Sequence, residues 1–293
     1  MIRSMLFLPG NNPNMLINGS VLGADAVIFD LEDAVSPSEK DAARVLVRNT
    51  LRYMDFAGCQ RIVRINSTDT AYWKADLDEI LPEKPELILL PKTSTAQDAV
   101  MVDAYMTGLE EKLGMPANSV GLMPLIETAL GVENAFNIAS SSKRIHALFL
   151  GAEDLTADLR CKRTKEGREI EYARTRLVVA ARAADVEVYD TPFTDVNDDE
   201  GIWTDAELAK ALGFTGKAAI SPRHLEAINQ TFSPTLAEID YAYEVLEAIA
   251  TAKAQGKGAI ALRGKMIDAP IVTRAQRTID MAEQLGLDRR DAE

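Results

Sequence analysis

Residues 121–154 read GLMPLIETALGVENAFNIASSSKRIHALFLGAED. Two apolar runs of strand length stop at carboxylates, Glu127 after the first and Glu153 and Asp154 after the second. Between them, Ala129 to Ser140 has the length and Ala/Leu/Phe/Ile spacing of a short helix. Apolar run, helix, apolar run is the βαβ pattern of a parallel sheet. Adjacent parallel strands end on the same face, which makes Glu127 and Asp154 neighbours in space although 27 residues separate them. Two hard oxygen ligands with open positions around them suit Mg²⁺, which keeps waters and takes substrate oxygens as further ligands. The alternative is a pair of ordinary strand-end acids bound to helix N-termini or to a lysine.

The same unit recurs along the chain. Apolar runs begin at Ser4 (SMLFL, closed by PGNN), Ala26 (AVIFDLED), Arg61 (RIVRIN) and Leu87 (LILLPK). After the pair above come VEVYDTPF, which ends near Asp190 and Thr191, and KAAISP from Lys217. Helical spacing fills most of the intervals: Pro13 to Leu22, Ser38 to Tyr53, Thr95 to Leu113, Arg168 to Ala184 and Asp205 to Leu212. Nearly continuous apolar runs are those of strands buried on both faces. Eight such units match an α/β fold of the (β/α)8 TIM-barrel kind, whose usual size is ~250 residues. An open doubly wound sheet is the competing fold, but no G-x-G-x-x-G follows the first strand. The barrel also accounts for the polar residues: Asp30, Glu32, Arg64, Asn66, Lys92, Glu127 and Asp154 all stand at or near run ends. That end is where this fold does its chemistry. The expected domains are a catalytic barrel over 1–233 and a C-terminal helical extension over 234–293 that carries the GKMID loop. In the extension Pro234 to Ala254 is amphipathic, Gln255 to Gly258 breaks the helix, Pro270 starts a last helix to about Leu285, and DRRDAE frays.

Composition narrows the function. At 293 residues, 47% hydrophobic and 26% charged, the chain is that of a soluble globular protein. A net charge of −13 argues against nucleic acid and anionic membrane as main partners, while a local arginine or metal still admits an anionic substrate. No apolar stretch approaches the ~20 residues of a membrane span, and MIRSMLFLPG is read as a first strand instead of a secretory signal. Cys59 and Cys161 form no spaced motif, which predicts a reduced, cytoplasmic setting. His146 and His224 are the only histidines. Neither a histidine-rich zinc site nor a Ser-His-Asp triad is expected, and His146, inside an apolar run, is expected to be a packed strand residue.

Seven motifs occur in order: RSMLFLPGN from Arg3, FDLEDAV from Phe29, VRIN from Val63, LPKT from Leu90, LIETALG from Leu125, GAEDL from Gly151 and GKMIDAP from Gly264. Together they resemble the citrate lyase β-subunit family, which includes malyl-CoA and citramalyl-CoA lyases and falls within the HpcH/HpaI aldolase superfamily. The resemblance covers nearly the whole chain, with LGFTGK, FSPT and LRGKMIDAPI adding to it. Two places depart from the family pattern. Arg263 stands where an asparagine is familiar, and Asn197 to Gly201 reads NDDEG instead of NNEAG.

The resemblance implies a retro-Claisen cleavage of a β-hydroxyacyl thioester, and for a citryl thioester the products are oxaloacetate and an acetyl thioester. It implies Mg²⁺ on Glu127 and Asp154, with Arg64 and Glu127 binding substrate. It also implies an acyl thioester of CoA or of a carrier protein and a 2-oxo acid as partners, with citrate lyase α and acyl-carrier subunits as possible companions. Such a reaction needs charge stabilised on a hydroxyl and then on an enolate oxygen, and a proton delivered to the enolate carbon. Arg64 offers a permanently charged planar fork, unless it serves as a structural salt bridge in the barrel mouth. Backbone N–H groups around Ala152 and Glu153 can bind a substrate carboxylate. Glu32 and Asp33 can orient water or cap loops, and Lys92 can neutralise excess acid. Asp268 is the candidate general acid/base, acting by family resemblance on a neighbouring subunit's site in a closed cyclic oligomer, most simply a homotrimer. Its bland alternative is a helix N-cap ahead of Pro270. Two other functions compete: a 2-oxo-acid aldolase that uses no thioester, and a silent assembly subunit.

Overall fold

The computed structural model describes residues 1–56, 58–254 and 260–287. Eight parallel strands close into a barrel in chain order: β1 (Ser4–Pro9), β2 (Ala26–Asp30), β3 (Gln60–Arg64), β4 (Leu87–Leu90), β5 (Gly121–Ile126), β6 (Ala147–Leu150), β7 (Glu187–Asp190) and β8 (Gly216–Ala219). Closure is between β1 and β8, with Ser4 opposite Lys217. The eight apolar runs are these eight strands. Among the described residues no helix is long and apolar enough to cross a membrane.

Alternation along each strand decides what faces the barrel axis. Met5, Ala26, Ile28, Ile62, Leu87, Leu89, Met123, Leu125, Ala147, Phe149, Tyr189 and Ala218 pack together as one interior cluster. Each fully buried Leu, Ile, Met or Phe among them contributes about 1.5–3 kcal/mol by leaving water. Two residues further along a strand is the next inward position. That step leads from Ile28 to Asp30, from Ile62 to Arg64, from Leu125 to Glu127, from Phe149 to Gly151 and from Tyr189 to Thr191. The apolar filling therefore gives way to polar groups at one level, the C-terminal mouth.

The outward positions face helices, and two fully buried ones are charged. On β7 and β8, Asp190 and Lys217 are fully buried and 2.6 Å apart. Lys217 also reaches Asp205 at 2.6 Å, from the helix Asp199–Leu212. Arg174, on the helix Glu171–Ala183, pairs with both aspartates. Taking charges out of water costs several kcal/mol per ion unless every one is paired, and here two cations meet two carboxylates.

The structure corrects several expectations. The interval after β5 is two short helices, Ala129–Glu133 and Ala135–Ala139, joined at Asn134. The helix expected from Asp205 begins at Asp199, where the Asp198 side chain accepts from the Gly201 N–H. A helix Trp73–Ile80 fills the interval before β4. His146 is exposed, just ahead of β6, although its backbone bonds to Leu122 and Glu187. His224 is the buried histidine.

Residues 2–229 form one compact unit, and Gln230 onward a second. Within the second, helices Leu236–Ala254 and Ala269–Gln284 pack around Ala242, Val245, Ile267, Ala275 and Ile279. Two further strands, β9 (Ile260–Leu262) and β10 (Lys265–Ile267), make an antiparallel hairpin. Its turn is Arg263-Gly264, both at positive φ (48° and 76°), as a tight two-residue connection requires. Glycine meets that demand without strain. The Gln255–Gly258 breaker and the final DRRDAE lie outside the described residues.

Candidate active site

The mouth of the barrel is a cavity of about 350 Å³. Its polar lining includes Asp30, Asp33, Arg64, Glu127, Glu153 and Asp154, and its apolar lining includes Phe7, Met15, Leu125, Phe149 and Ile220. The structure thus gathers around one cavity most residues singled out in the sequence. Glu32 and Lys92 stand directly behind them.

Glu127 follows the last residue of β5 and is 3% exposed. Its Oε1 accepts the backbone N–H of Lys92 at 2.5 Å. Lys92 itself has a φ of +52°, a conformation few lysines adopt. Across the β5–β6 pair, Ile126 lies opposite Leu150, so Glu127 lies beside Gly151. A Cβ built at Gly151 would stand 2.8 Å from both Glu127 Cβ and Oε2, and only glycine allows this approach. Burial pushes the Glu127 carboxyl up to about 8, with Glu32 and Asp154 adding to the rise against the Lys92 N–H and Arg64.

Asp154 does not sit on the strand itself. It occupies the first turn of a seven-residue helix, Ala152–Asp158, begun by Gly151. The N–H of Ala152, a candidate carboxylate donor, donates to Thr191 Oγ1 at 3.2 Å. The N–H groups of Glu153 and Asp154 belong to the open first turn. The Glu153 side chain is directed to Arg163, 3.6 Å away.

Arg64 ends β3. Its Nε and Nη2 donate to the two oxygens of Asp30 at 2.7 and 2.5 Å, a bidentate clamp. Its Nη1 is 3.1 Å from Glu32 Oε2, and its guanidinium lies over the Phe7 ring at 5.2 Å. Asp30 also accepts the N–H groups of Glu32 and Ala34, which folds the LEDA turn back over the strand end. Gly10 admits that turn: a Cβ there would meet the Asp30 carbonyl at 2.6 Å.

Glu32 is buried and its carboxyl is raised, mainly by that burial. It lies within ion-pair distance of Arg64 and of Lys92 Nζ (3.2 Å), yet neither of its oxygens has an aligned hydrogen-bond donor among the described residues. Asp33 is 4.0 Å from Lys92 Nζ with a half-exposed side chain. Asn66 turns away from the cavity to Asp76. Sequence reasoning gave Asp30 no specific role, although its two-residue step from Ile28 marks it as an inward group. It also missed Lys40, whose buried Nζ donates to the carbonyls of Leu31 and Glu32.

Asp268 belongs to the second unit. It precedes the helix Ala269–Gln284, and its side chain makes no capping hydrogen bond. Its backbone carbonyl accepts the N–H groups of Ile271 and Val272.

This donor set fits a hard divalent cation. Carboxylates outnumber cations at the mouth, and Glu127 is raised by burial first and then by Glu32 and Asp154. Among the described residues no three His, Cys, Asp or Glu side chains gather around one point. A cation held by Glu127 and Asp154 would take its remaining ligands from water and substrate, the habit of Mg²⁺.

Residues 3–222 match the family described as HpcH/HpaI aldolase/citrate lyase. The chain belongs to the HpcH/HpaI aldolase/citrate lyase family. Within it, the chain is 42% identical over 280 residues to citrate lyase subunit beta of Leuconostoc mesenteroides subsp. cremoris, covering 96% of this chain and 93% of that one. Its fold is similar to a solved structure of the protein CitE from Mycobacterium tuberculosis in complex with magnesium, acetoacetate and coenzyme A. That likeness has a TM-score of 0.78 and 29% identity and covers 96% of this chain and 98% of the other. A citrate lyase beta subunit from M. tuberculosis complexed with oxaloacetate and magnesium is similar over 79% of this chain and 96% of its own, with a TM-score of 0.67 and 29% identity. Like the citrate lyase members of the HpcH/HpaI family, the chain is a lyase with a TIM barrel.

Proposed function

We propose that this lyase cleaves a β-hydroxyacyl thioester by a Mg²⁺-dependent retro-Claisen reaction, with a citryl thioester giving oxaloacetate and an acetyl thioester. The observation that carries the reading is one layer of the barrel mouth, where Arg64, clamped by Asp30, faces a cavity shared with Glu127 and Asp154. The oxaloacetate, acetoacetate and coenzyme A bound by the M. tuberculosis relatives are the two kinds of ligand such a cavity would take.

Glu127 and Asp154 would hold the Mg²⁺, which when bound supplies Lewis-acid charge to the hydroxyl and carboxylate oxygens of the substrate. Arg64 keeps one guanidinium edge for Asp30, and its Nη1, 3.1 Å from Glu32 Oε2, would turn to a substrate carboxylate or to the developing enolate oxygen. The open first-turn N–H groups of Glu153 and Asp154 orient the 2-oxo acid carboxylate, behind Ala152, whose own N–H is held by Thr191. Glu32 and Asp33 order water and the loop behind the substrate. Phe7, Leu125 and Phe149 keep bulk water from the reacting carbons. Asp268 gives or takes the proton at the enolate carbon, acting from a neighbouring subunit in a closed cyclic assembly, most simply a homotrimer. The absence of a capping bond to its side chain supports that assignment over the N-cap.

The test is an assay of the purified chain with Mg²⁺ and citryl-CoA, malyl-CoA and citramalyl-CoA in parallel. Cleavage of citryl-CoA above the other two is the expected result. Cleavage only of a free hydroxy-oxo acid would make the chain a thioester-independent aldolase. Failure on every substrate, with and without added α and acyl-carrier subunits, would point to an assembly role.

A further inference from the structure

Beyond β6 the chain forms the short helix Ala152–Asp158 at the mouth. That helix ends at Arg160, whose φ is +58°, with the Cys161 N–H donating to the Thr156 carbonyl, as a left-handed helix stop does. Gly167, at a φ of +66°, turns the chain again ahead of the helix Glu171–Ala183. The segment from Arg160 to Arg168 reads RCKRTKEGR, five cations and one acid, in a chain whose net charge is −13.

The five cations divide by task. Arg163 lies beneath the loop, its side chain 10% exposed, 2.7 Å from Glu169 and 3.6 Å from Glu153 on the cavity rim. Lys165 ties the loop to the segment after β7, through Asp195 at 2.6 Å and Asp198 at 2.8 Å. Glu169 also accepts the Thr164 N–H and hydroxyl. A loop fastened at these points holds one shape beside the mouth. Arg160, Lys162 and Arg168 are exposed, and among the described residues no hydrogen bond or ion pair engages their side chains. Three like charges on one short loop repel each other, which an anionic partner relieves.

The arrangement also says what kind of anion. A cavity of about 350 Å³ takes the hydroxyacyl group with its thioester and leaves the rest of the thioester's handle at the rim. A bound phosphate is gripped by donors that converge on one point or by N–H groups at a helix N-terminus. Here the unpaired cations stand outward along nine residues, past the C-terminal end of a helix. Dispersed outward charge steers and orients a protein surface of the opposite sign.

We propose that Arg160, Lys162 and Arg168 are the docking face for an acidic carrier protein that delivers the acyl thioester to the mouth beside them. The inference rests on the thioester reading of the site and chooses a carrier protein over free CoA as the handle.

The test compares two substrates, the citryl thioester of a citrate lyase acyl-carrier subunit and citryl-CoA. It uses the parent, a loop variant with Arg160→Gln, Lys162→Gln and Arg168→Gln, and a control with Lys84→Gln, Lys112→Gln and Lys143→Gln. The control removes the same charge from exposed lysines at the other end of the barrel, where Lys84 and Lys143 precede β4 and β6 and Lys112 lies at the end of the helix before β5. The loop variant is expected to raise KM for the carrier substrate about tenfold, the reach of three rim charges of modest individual worth. Its kcat, and its KM for citryl-CoA, should stay within about twofold of the parent. The parent's KM for the carrier should climb with added salt more steeply than the variant's. An equal rise on both substrates would make the loop a phosphate site and overturn the choice of partner. Parental values on both would leave it a solvated face, and an equal rise in the control would reduce the effect to net charge. Binding of the unloaded carrier subunit, measured without turnover, separates the two levels. If no thioester is cleaved yet the carrier binds the parent and not the loop variant, the docking face stands and the catalytic reading falls. If citryl-CoA is cleaved and the carrier binds parent and loop variant alike, the docking face alone falls.

Discussion

The Cα of Gly151 lies so close to Glu127 that a Cβ there would come within 2.8 Å of the carboxylate's Oε2. The strand that carries one proposed metal ligand is thus shaped around the strand that leads to the other. Gly151→Ala should push the Glu127 side chain from its place against Lys92. We expect a loss of about 1–3 kcal/mol in stability from overpacking and a Mg²⁺ affinity at least about tenfold lower, one ligand of a few being misplaced. Denaturant unfolding and metal titration of the same preparation measure both. A variant with parental Mg²⁺ affinity would show that Glu127 has room to spare.

Glu127→Gln should abolish Mg²⁺ binding without harming the metal-free fold. The carboxyl is raised from 4.5 to about 8 by burial first and then by Glu32 and Asp154. The folded state therefore prefers it protonated. Its destabilising effect is absent below pH 4.5 and grows as pH rises toward 8. Without metal, the glutamine variant should melt at or above the parent at pH 7–8, with the difference shrinking as pH falls to 4.5. Added Mg²⁺ should raise the melting temperature of the parent alone. A variant that melts well below the metal-free parent at pH 8 would contradict the sign.

Asp268→Asn should keep Mg²⁺ affinity and substrate KM while turnover falls by about 10²–10⁴, the range of a lost general acid/base. Mixed with Glu127→Gln under conditions of subunit exchange, it should recover part of the activity, since one site then combines an intact Glu127 with an intact partner Asp268. Full turnover in Asp268→Asn would return this residue to the helix end. A slow variant without rescue, despite exchange, would place its action within one chain.

Glu169 provides a pH test away from the metal. Burial alone would raise it, but the Thr164 N–H and hydroxyl and the Arg163 guanidinium outweigh that and bring it down to about 2. A depressed carboxyl stabilises the fold above its unfolded value and loses that effect as pH falls. Glu169→Gln should unfold at lower denaturant than the parent at pH 7. The gap should close between pH 4.5 and 2, measured by urea unfolding across that range. A gap independent of pH would assign the loss to packing.

Much of this was legible from residue order because barrel strands repeat one rule. Apolar runs of four to six residues marked the strands, and the groups that interrupted them at the end, Arg64 and Glu127 among them, became the mouth. What escaped was whatever depends on the backbone at one residue or on contacts across distant segments. Nothing in LPKT announces that Lys92 adopts a positive φ. Nothing near Lys40 shows that its ammonium folds back onto the carbonyls of Leu31 and Glu32. The helix after β5 divides at Asn134 although its apolar spacing continues. The backbone of His146 does hydrogen-bond to the neighbouring strands as the apolar run suggests, but its side chain is exposed, which the run around it does not show. The hairpin β9–β10 was overlooked because its three-residue strands are too short for alternation to declare itself.

A ring of eight similar βα units has a problem of self-recognition: any strand presents much the same apolar wall to any other. The quartet of Arg174, Asp190, Lys217 and Asp205 answers it at the join. Asp190 pairs in register with Lys217, and Lys217 with Ser4 of the first strand. A slip of β8 by one residue would turn its ammonium inward beside Met5 and Tyr189 and leave two aspartates to share Arg174 alone. The final strand can therefore lock in one alignment only, and the charges serve as the key that tells the chain where its circle ends.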